Sequence, residues 1–216
     1  MDRRSEVRET YDRIAIHFAS TREYAWPEVE AFVDEYVGGA DSPEIGLDLG
    51  CGNCRHAEVL AEWVQRVVGL DVSRGLLETG RDRALERGFS VDIVQGEAAS
   101  LPLRSDVVDA AVYVATIHHL PTRAERVASL DELARVLTPG SVALVSAWST
   151  AHDAFDETAG FDTTVEWTLP GGESVDRFYH IYDPDEFETD LETSALETVS
   201  LEISSGNCYA VVRPRS

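Results

Sequence analysis

The stretch Leu47-Asp48-Leu49-Gly50-Cys51-Gly52-Asn53 decides how this chain is read. Ile45 to Leu49 is a short apolar run of the kind that forms a buried strand. The two glycines after it let the backbone turn tightly and approach a ligand closely. The turn from Gly50 to Cys54 leads into a helix through roughly Trp63.

Working outward, strands and helices alternate. Arg66 to Leu70, Ser90 to Val94, Val107 to Val114 and Val142 to Trp148 read as four more strands. A helix opens at Ser73 and ends at Gly88. Another opens on the capping box Thr122-Arg123-Ala124-Glu125, carries Val127, Leu130, Ala134 and Leu137, and stops at Pro139-Gly140. Upstream, Val7 to Phe18 has helical spacing, and a shorter helix starts at Pro27 and ends at Gly38-Gly39. Downstream, Asp183-Pro184-Asp185-Glu186 caps one more helix. Glu197 to Ile203 and Asn207 to Val212 then predict an antiparallel hairpin around Ser204-Ser205-Gly206. Residues 149 to 176 are acidic and irregular, either a loop over the site or a partly disordered segment. The expected fold is α/β: a Rossmann-like sheet with helices on both faces and a C-terminal antiparallel hairpin. Its 216 residues suit one domain, 1–216, with an N-terminal helical cap at 5–38 and a loop or lid at 149–180.

Charge is the unusual feature. Forty acidic and eighteen basic residues leave a net charge of -22, and the chain contains no Lys. Such a chain repels itself in dilute buffer and is relieved by molar salt, where the Debye length is about 3 Å. The acids are spread from end to end, which fits salt adaptation (a halophilic protein) better than an acidic face for a basic partner. Bulk charge therefore does not exclude a nucleic acid; a local Arg cluster would mark one. There is no run of about 18 apolar residues and no apolar signal segment, so no membrane is expected and a cytoplasmic setting is. Cys51 and Cys54 form one pair without a second, which assigns no metal. Cys208 reads as a core filler.

Ligands of open α/β sheets bind beyond the carboxyl ends of the strands. Here Asp48 and Gly50-Cys51-Gly52 follow the first strand, Asp71-Val72 the second, Gly96-Glu97-Ala98 the third, and Ala115 to His119 the fourth. Asp71, 21 residues beyond Gly50, is placed to accept both hydroxyls of a ribose. Taken singly, Asp71 reads equally as a helix cap and Gly-x-Gly as a plain turn. A dinucleotide fingerprint needs a third glycine where this chain has Arg55. The set points to S-adenosylmethionine (SAM) rather than NAD.

The chain also resembles the Trm9 family of tRNA wobble-uridine (carboxymethyluridine) methyltransferases, whose fold is the class I SAM-dependent methyltransferase sheet. The resemblance rests on Tyr11-Asp12-x-Ile14-Ala15-x-His17-Phe18, Thr21-Arg22, Trp26-Pro27, LDLGCGN at 47–53, GLD at 69–71, LPLRS at 101–105, ATIHHLPT at 115–122, ELARVLTPG at 132–140 and RFYHIY at 177–182. It implies methylation of the carboxylate of 5-carboxymethyluridine at tRNA position 34. It implies SAM contacts at Asp48, Gly50, Gly52, Asp71, Glu97 and Ala98, with Cys51, Val72 and Ala115 beside them. It also implies a small zinc-containing activator resembling Trm112. The family reads Gly where this chain has Cys54, which a helical residue would tolerate; its third-strand acid is commonly Asp rather than Glu97.

A carboxylate acceptor needs no general base, since its pKa is near 4. It needs cationic or donating groups to orient it. Arg22, Arg177, Tyr179 and His180 are the candidates, with Arg22 and His180 favoured for a carboxylate or phosphate. Of His118 and His119, one is expected to shape the acceptor pocket and at least one to be structural. Trp26 is open between stacking on a base and packing in the core. A small-molecule methyltransferase and a non-catalytic SAM-fold protein are the competing readings.

Overall fold

The computed structural model describes residues 3–38 and 43–215. Gly39, half of the expected stop of the second helix, lies outside them. In chain order the elements are α1 (Arg3–Ser20), α2 (Pro27–Phe32) continuing as one π turn to Val37, β1 (Ile45–Leu49), α3 (Arg55–Leu60), β2 (Arg66–Asp71), α4 (Arg74–Arg87), β3 (Asp92–Gln95), β4 (Val108–Val114), α5 (Arg123–Val136), β5 (Leu137–Trp148), β6 (Phe161–Thr168), β7 (Ser174–Ile181), α6 (Pro184–Thr193), β8 (Leu196–Ser204) and β9 (Asn207–Pro214).

Seven strands form one sheet in the order β3-β2-β1-β4-β5-β9-β8. The first five are parallel. β9 runs antiparallel to both β5 and β8, as the C-terminal hairpin pattern predicts. Alternation along the strands divides the core. Leu47, Leu49, Ala111 and Tyr113 pack with Leu130 and Leu133 of α5 and Phe187 and Leu191 of α6. Ala110, Val112 and Val114 pack on the other face with Phe32, Ala57 and Leu60. β1 and β4 are buried on both sides, which explains their nearly unbroken apolar composition.

Two elements depart from the sequence expectation. Leu137 leaves the helix and starts β5, and the strand runs through Thr138-Pro139-Gly140 with a register shift opposite Val108/Ala110. The register shift accommodates Pro139, which lacks the N–H a regular ladder needs. The stretch expected to be irregular contains an ordered hairpin, β6–β7, registered from Phe161↔Ile181 to Thr168↔Ser174. Its signal was a period of two, with Phe161, Thr163, Val165 and Trp167 facing inward and Asp162, Thr164 and Glu166 between them. Acidic content masked that alternation. A third apolar cluster joins this hairpin to α1 and α4 through Tyr11, Ile14, Leu76 and Val175, with Phe18 and Trp167 packed against it.

Candidate active site

The strand order reverses between β1 and β4, and the crevice at their carboxyl ends is where such sheets bind ligands. A cavity of about 380 Å³ lies there, adjoining a smaller one of about 80 Å³. Val7, Gly50, Asp71, Val72, Thr116 and His119 line both.

The floor is the turn after β1. Gly50, Gly52 and Cys54 alternate through left-handed conformations, with φ of 75°, 53° and 61°. Gly50 admits no side chain, because a Cβ there would sit 2.2 Å from Thr116 Oγ1. A Cβ on Gly52 would stand in open space at the cavity wall. Cys54 is thus not helical, as tolerance of its Cβ required. It is a β-carbon residue in a glycine conformation, which costs about 1 kcal/mol. The structure accommodates its thiol at Gly80 of α4, where a Cβ would come within 2.5 Å of Cys54 Sγ.

Asp71 ends β2 with one carboxylate oxygen accepting from the Gly52 amide at 2.9 Å and the other from the Ser73 amide at 2.8 Å. Burial raises its pKa to about 6 against the pull of these amides. Each oxygen keeps a second lone pair for a ligand hydroxyl. Val72, Glu97 and Ala98 line the smaller cavity; Cys51 and Ala115, the latter at φ 52°, line the larger. Asp48 lines neither. It is 1% exposed, accepts from the Ala57 amide at 2.9 Å and holds the start of α3. That corrects the expectation of a ligand contact: the side chain points beneath the turn. Gly52 opening toward the cavity, the Asp71 carboxylate and the Glu97–Ala98 pocket together fit a nucleoside with an extended tail.

The roof comes from α1, the β4 loop and β7. On β7, alternate residues Arg177 and Tyr179 face the cavity. Arg177 Nη1 donates to Tyr179 Oη at 2.7 Å, and its guanidinium lies 4.8 Å from the Trp167 ring. Arg177 is only 6% exposed, and its Nε has no hydrogen-bond partner. Arg22 reaches the same Trp167 at 5.7 Å and lies 4.7 Å over Phe18. Burial lowers the pKa of Arg22, and the like charge of Arg177 adds to this. Asn53 fastens the β1 turn to this segment by donating to the carbonyls of Ala19 and Arg22.

Both histidines line the cavity, and their partners fix the tautomers. His118 Nδ1 accepts from the Trp148 amide at 3.0 Å, so its Nε2 bears the proton. His119 Nδ1 meets the Phe178 carbonyl at 3.0 Å and must donate, so Nε2 accepts the Tyr11 hydroxyl at 2.9 Å. Burial holds both neutral: His118 far below its ordinary range, His119 at about 4. Neither ring offers a free lone pair to deprotonate an acceptor.

His180 does not join the site. The strand alternation turns it to the opposite face from Arg177 and Tyr179. There its Nδ1 pairs with Asp162 at 2.9 Å and its Nε2 with Glu186 at 3.0 Å. Its role is to tie the hairpin to α6. Sequence reading also missed Tyr11, Arg55 and Trp167. Tyr11 lies on the apolar stripe of α1 and reads as core. Trp167 sits in the stretch taken as irregular.

An open sheet of this order, with its crevice at the β1/β4 switch, is the fold of class I SAM-dependent methyltransferases. The family profile described as "Methyltransferase domain" matches residues 47–145. A putative methyltransferase of Encephalitozoon cuniculi is 31% identical over 182 residues, 82% of this chain and 80% of that protein. The tRNA (carboxymethyluridine(34)-5-O)-methyltransferases of Arabidopsis thaliana and Macaca fascicularis are 33% and 37% identical over 68% and 66% of this chain. The chain spans only 33% and 20% of those two proteins. Among solved structures, the CcbJ methyltransferase of Streptomyces caelestis superposes with a TM-score of 0.74 at 21% identity, covering 98% of this chain and 99% of that one. The methyltransferase in complex with the Haloferax volcanii Trm112 activator superposes with a TM-score of 0.70 at 14% identity, covering 97% and 98%. These two likenesses concern the fold. The chain belongs to the methyltransferase family, and SAM is its methyl donor.

Proposed function

We propose that this enzyme methylates the carboxylate of 5-carboxymethyluridine at the wobble position, residue 34, of tRNA, giving the methyl ester. One observation carries the reading. Arg177, almost fully buried against the cavity, has no carboxylate partner among the described residues of a chain with net charge -22. A buried cation without a counter-ion is costly unless a ligand brings one. The printed function of the plant and macaque relatives supports the same acceptor.

SAM, when bound, supplies an electrophilic methyl group on a sulfonium. Gly50, Gly52, Asp71 and Val72 hold it from the floor, Glu97 and Ala98 take its base, and Cys51 and Ala115 flank its tail. Arg177 and Tyr179 orient the acceptor carboxylate, Arg22 adds a second cation, and His118 Nε2–H is a donor beside them. Orientation is the main contribution, because a carboxylate needs no proton removed. The paired lone pairs of both histidines suit that acceptor and disfavour a hydroxyl or amine.

The activator reading rests on β3. Its outer edge is unpaired among the described residues, and such an edge accepts an added strand. A small zinc-containing protein resembling Trm112 is the proposed partner, in a salt-adapted cytoplasmic enzyme. The test supplies tRNA bearing carboxymethyluridine, labelled SAM and any copurifying small protein. Base-labile label on residue 34 is expected; absence of label with and without the small protein overturns the reading.

A further inference from the structure

Arg55 is absorbed by neither the cofactor floor nor the carboxylate site, yet it lines the same cavity. Its guanidinium lies 5.2 Å from the Trp26 ring, and Nη1 donates to the Tyr24 carbonyl at 3.3 Å. Burial lowers its pKa to about 10, and Arg22 is the next cause. Asp48 and Arg83 also act on it, in opposite directions. Asp48 lies beneath the turn with one oxygen on the Ala57 amide and the other without a partner, and burial raises its carboxyl to about 7, which weakens it as a counter-charge. Arg22 in turn feels Arg177. The three cations line one cavity, with buried Arg177 and half-buried Arg22 both against the Trp167 ring and half-buried Arg55 against Trp26.

Most arginines of the molecule are placed differently. Twelve arginines pair with carboxylates, among them Arg83 and Arg87 close to Arg55 in the fold. Arg22, Arg55 and Arg177 pair with none among the described residues, and the one acid lining the larger cavity is Asp71 on the floor. Like charges held together, each against an aromatic face, are favourable when anions lie between them. One acceptor carboxylate accounts for Arg177. It does not account for Arg55, which sits against Trp26 rather than Trp167.

We infer that Arg55 binds a phosphodiester in this cavity, with Arg22 shared between it and the acceptor carboxylate, so that the acceptor is recognised as a nucleotide within a strand, with Trp26 beside it. This rests on the acceptor reading above and adds the group that distinguishes a strand from a free nucleoside. Arg55 is here a substrate-binding residue.

The experiment compares wild type with Arg55→Gln, Arg55→Lys and, as a control for net charge, Arg104→Gln, which alters an exposed arginine outside both cavities. Each is assayed on free 5-carboxymethyluridine and on an anticodon stem-loop carrying it. Binding of an unmodified oligouridylate is followed in parallel by fluorescence anisotropy across a range of KCl. Arg55→Gln is expected to lower the ratio of stem-loop to nucleoside kcat/KM about tenfold or more, mainly through KM. It is expected to flatten the salt slope of oligouridylate binding by about 0.7, the value of one phosphate. Arg55→Lys keeps most of that slope, and Arg104→Gln shifts the ratio less than about twofold. Equal losses on nucleoside and stem-loop, or no loss on either, overturn the subsite. If wild type methylates neither acceptor, the acceptor reading fails. An Arg55-dependent salt slope would then still support the subsite, and an Arg55-independent slope would overturn it as well.

Discussion

The floor of the cavity and its roof differ in charge, in span along the chain and in what holds them. The floor is acidic and built from four consecutive strand ends: Gly50 to Asn53, Asp71, Glu97 and Ala115. Parallel pairing brings those ends together at one edge of the sheet. The roof is cationic and aromatic. It joins Tyr11, Phe18 and Arg22 to Trp167, Arg177 and Tyr179, about 150 residues away along the chain, as in the Trp167–His17 hydrogen bond. A fold shared by many methyltransferases can keep its floor for a common cofactor, and under the proposed function acceptor choice is written in the roof.

The sharpest way to break that division is to alter one residue from each wall. Arg177→Gln is expected to lower kcat/KM for the carboxylate acceptor about 100-fold or more while SAM affinity, measured by calorimetry, stays within about threefold. Asp71→Ala is expected to weaken SAM about 10- to 100-fold, the worth of hydrogen bonds to a charged group. If either variant damages both ligands equally, the walls are not separable.

Packing of the floor gives a smaller effect. Gly80→Ala puts a Cβ against Cys54 Sγ, and overpacking of this kind costs about 1–3 kcal/mol. Cys54→Gly in the same chain removes the clash and the strained left-handed residue. Denaturation of the four chains of this double-mutant cycle should show most of the Gly80→Ala loss recovered. Additive effects would mean that the α4 contact is not what accommodates Cys54.

The remaining effect is electrostatic. Burial raises the Asp48 carboxyl to about 7, above the value of about 3.9 expected when unfolded. Between those values the folded chain keeps a proton that the unfolded chain has released, so this group makes stability fall as pH rises from about 4 to about 7. Asp48→Asn removes the dependence and retains an acceptor for the Ala57 amide. Its melting temperature relative to wild type should therefore climb by about 10 °C across that window. A constant difference would show that Asp48 does not titrate there.

The floor was legible in the chain because its signals are local. Glycines, strand-end acids and helix caps act within a few residues, and the parallel order follows from alternating periodicities. The capping box at Thr122 and the Ser73 cap appear as read. Cys54 shows the limit: its identity was plain, but its φ of 61° and the space at Gly80 required coordinates.

The sequence by itself therefore determined the SAM-type sheet, the glycine turn and the residues at each strand end, because short-range backbone sterics and hydrophobic period dictate them. Only tertiary structure decided which polar residues face the acceptor. Register on β7 sends Arg177 and Tyr179 inward and His180 outward to Asp162 and Glu186. Packing of α1 against the hairpin brings Arg22 to Trp167, and the turn after β1 brings Arg55 into the same cavity. Those placements follow from contacts far apart along the chain, which no spacing in the sequence records.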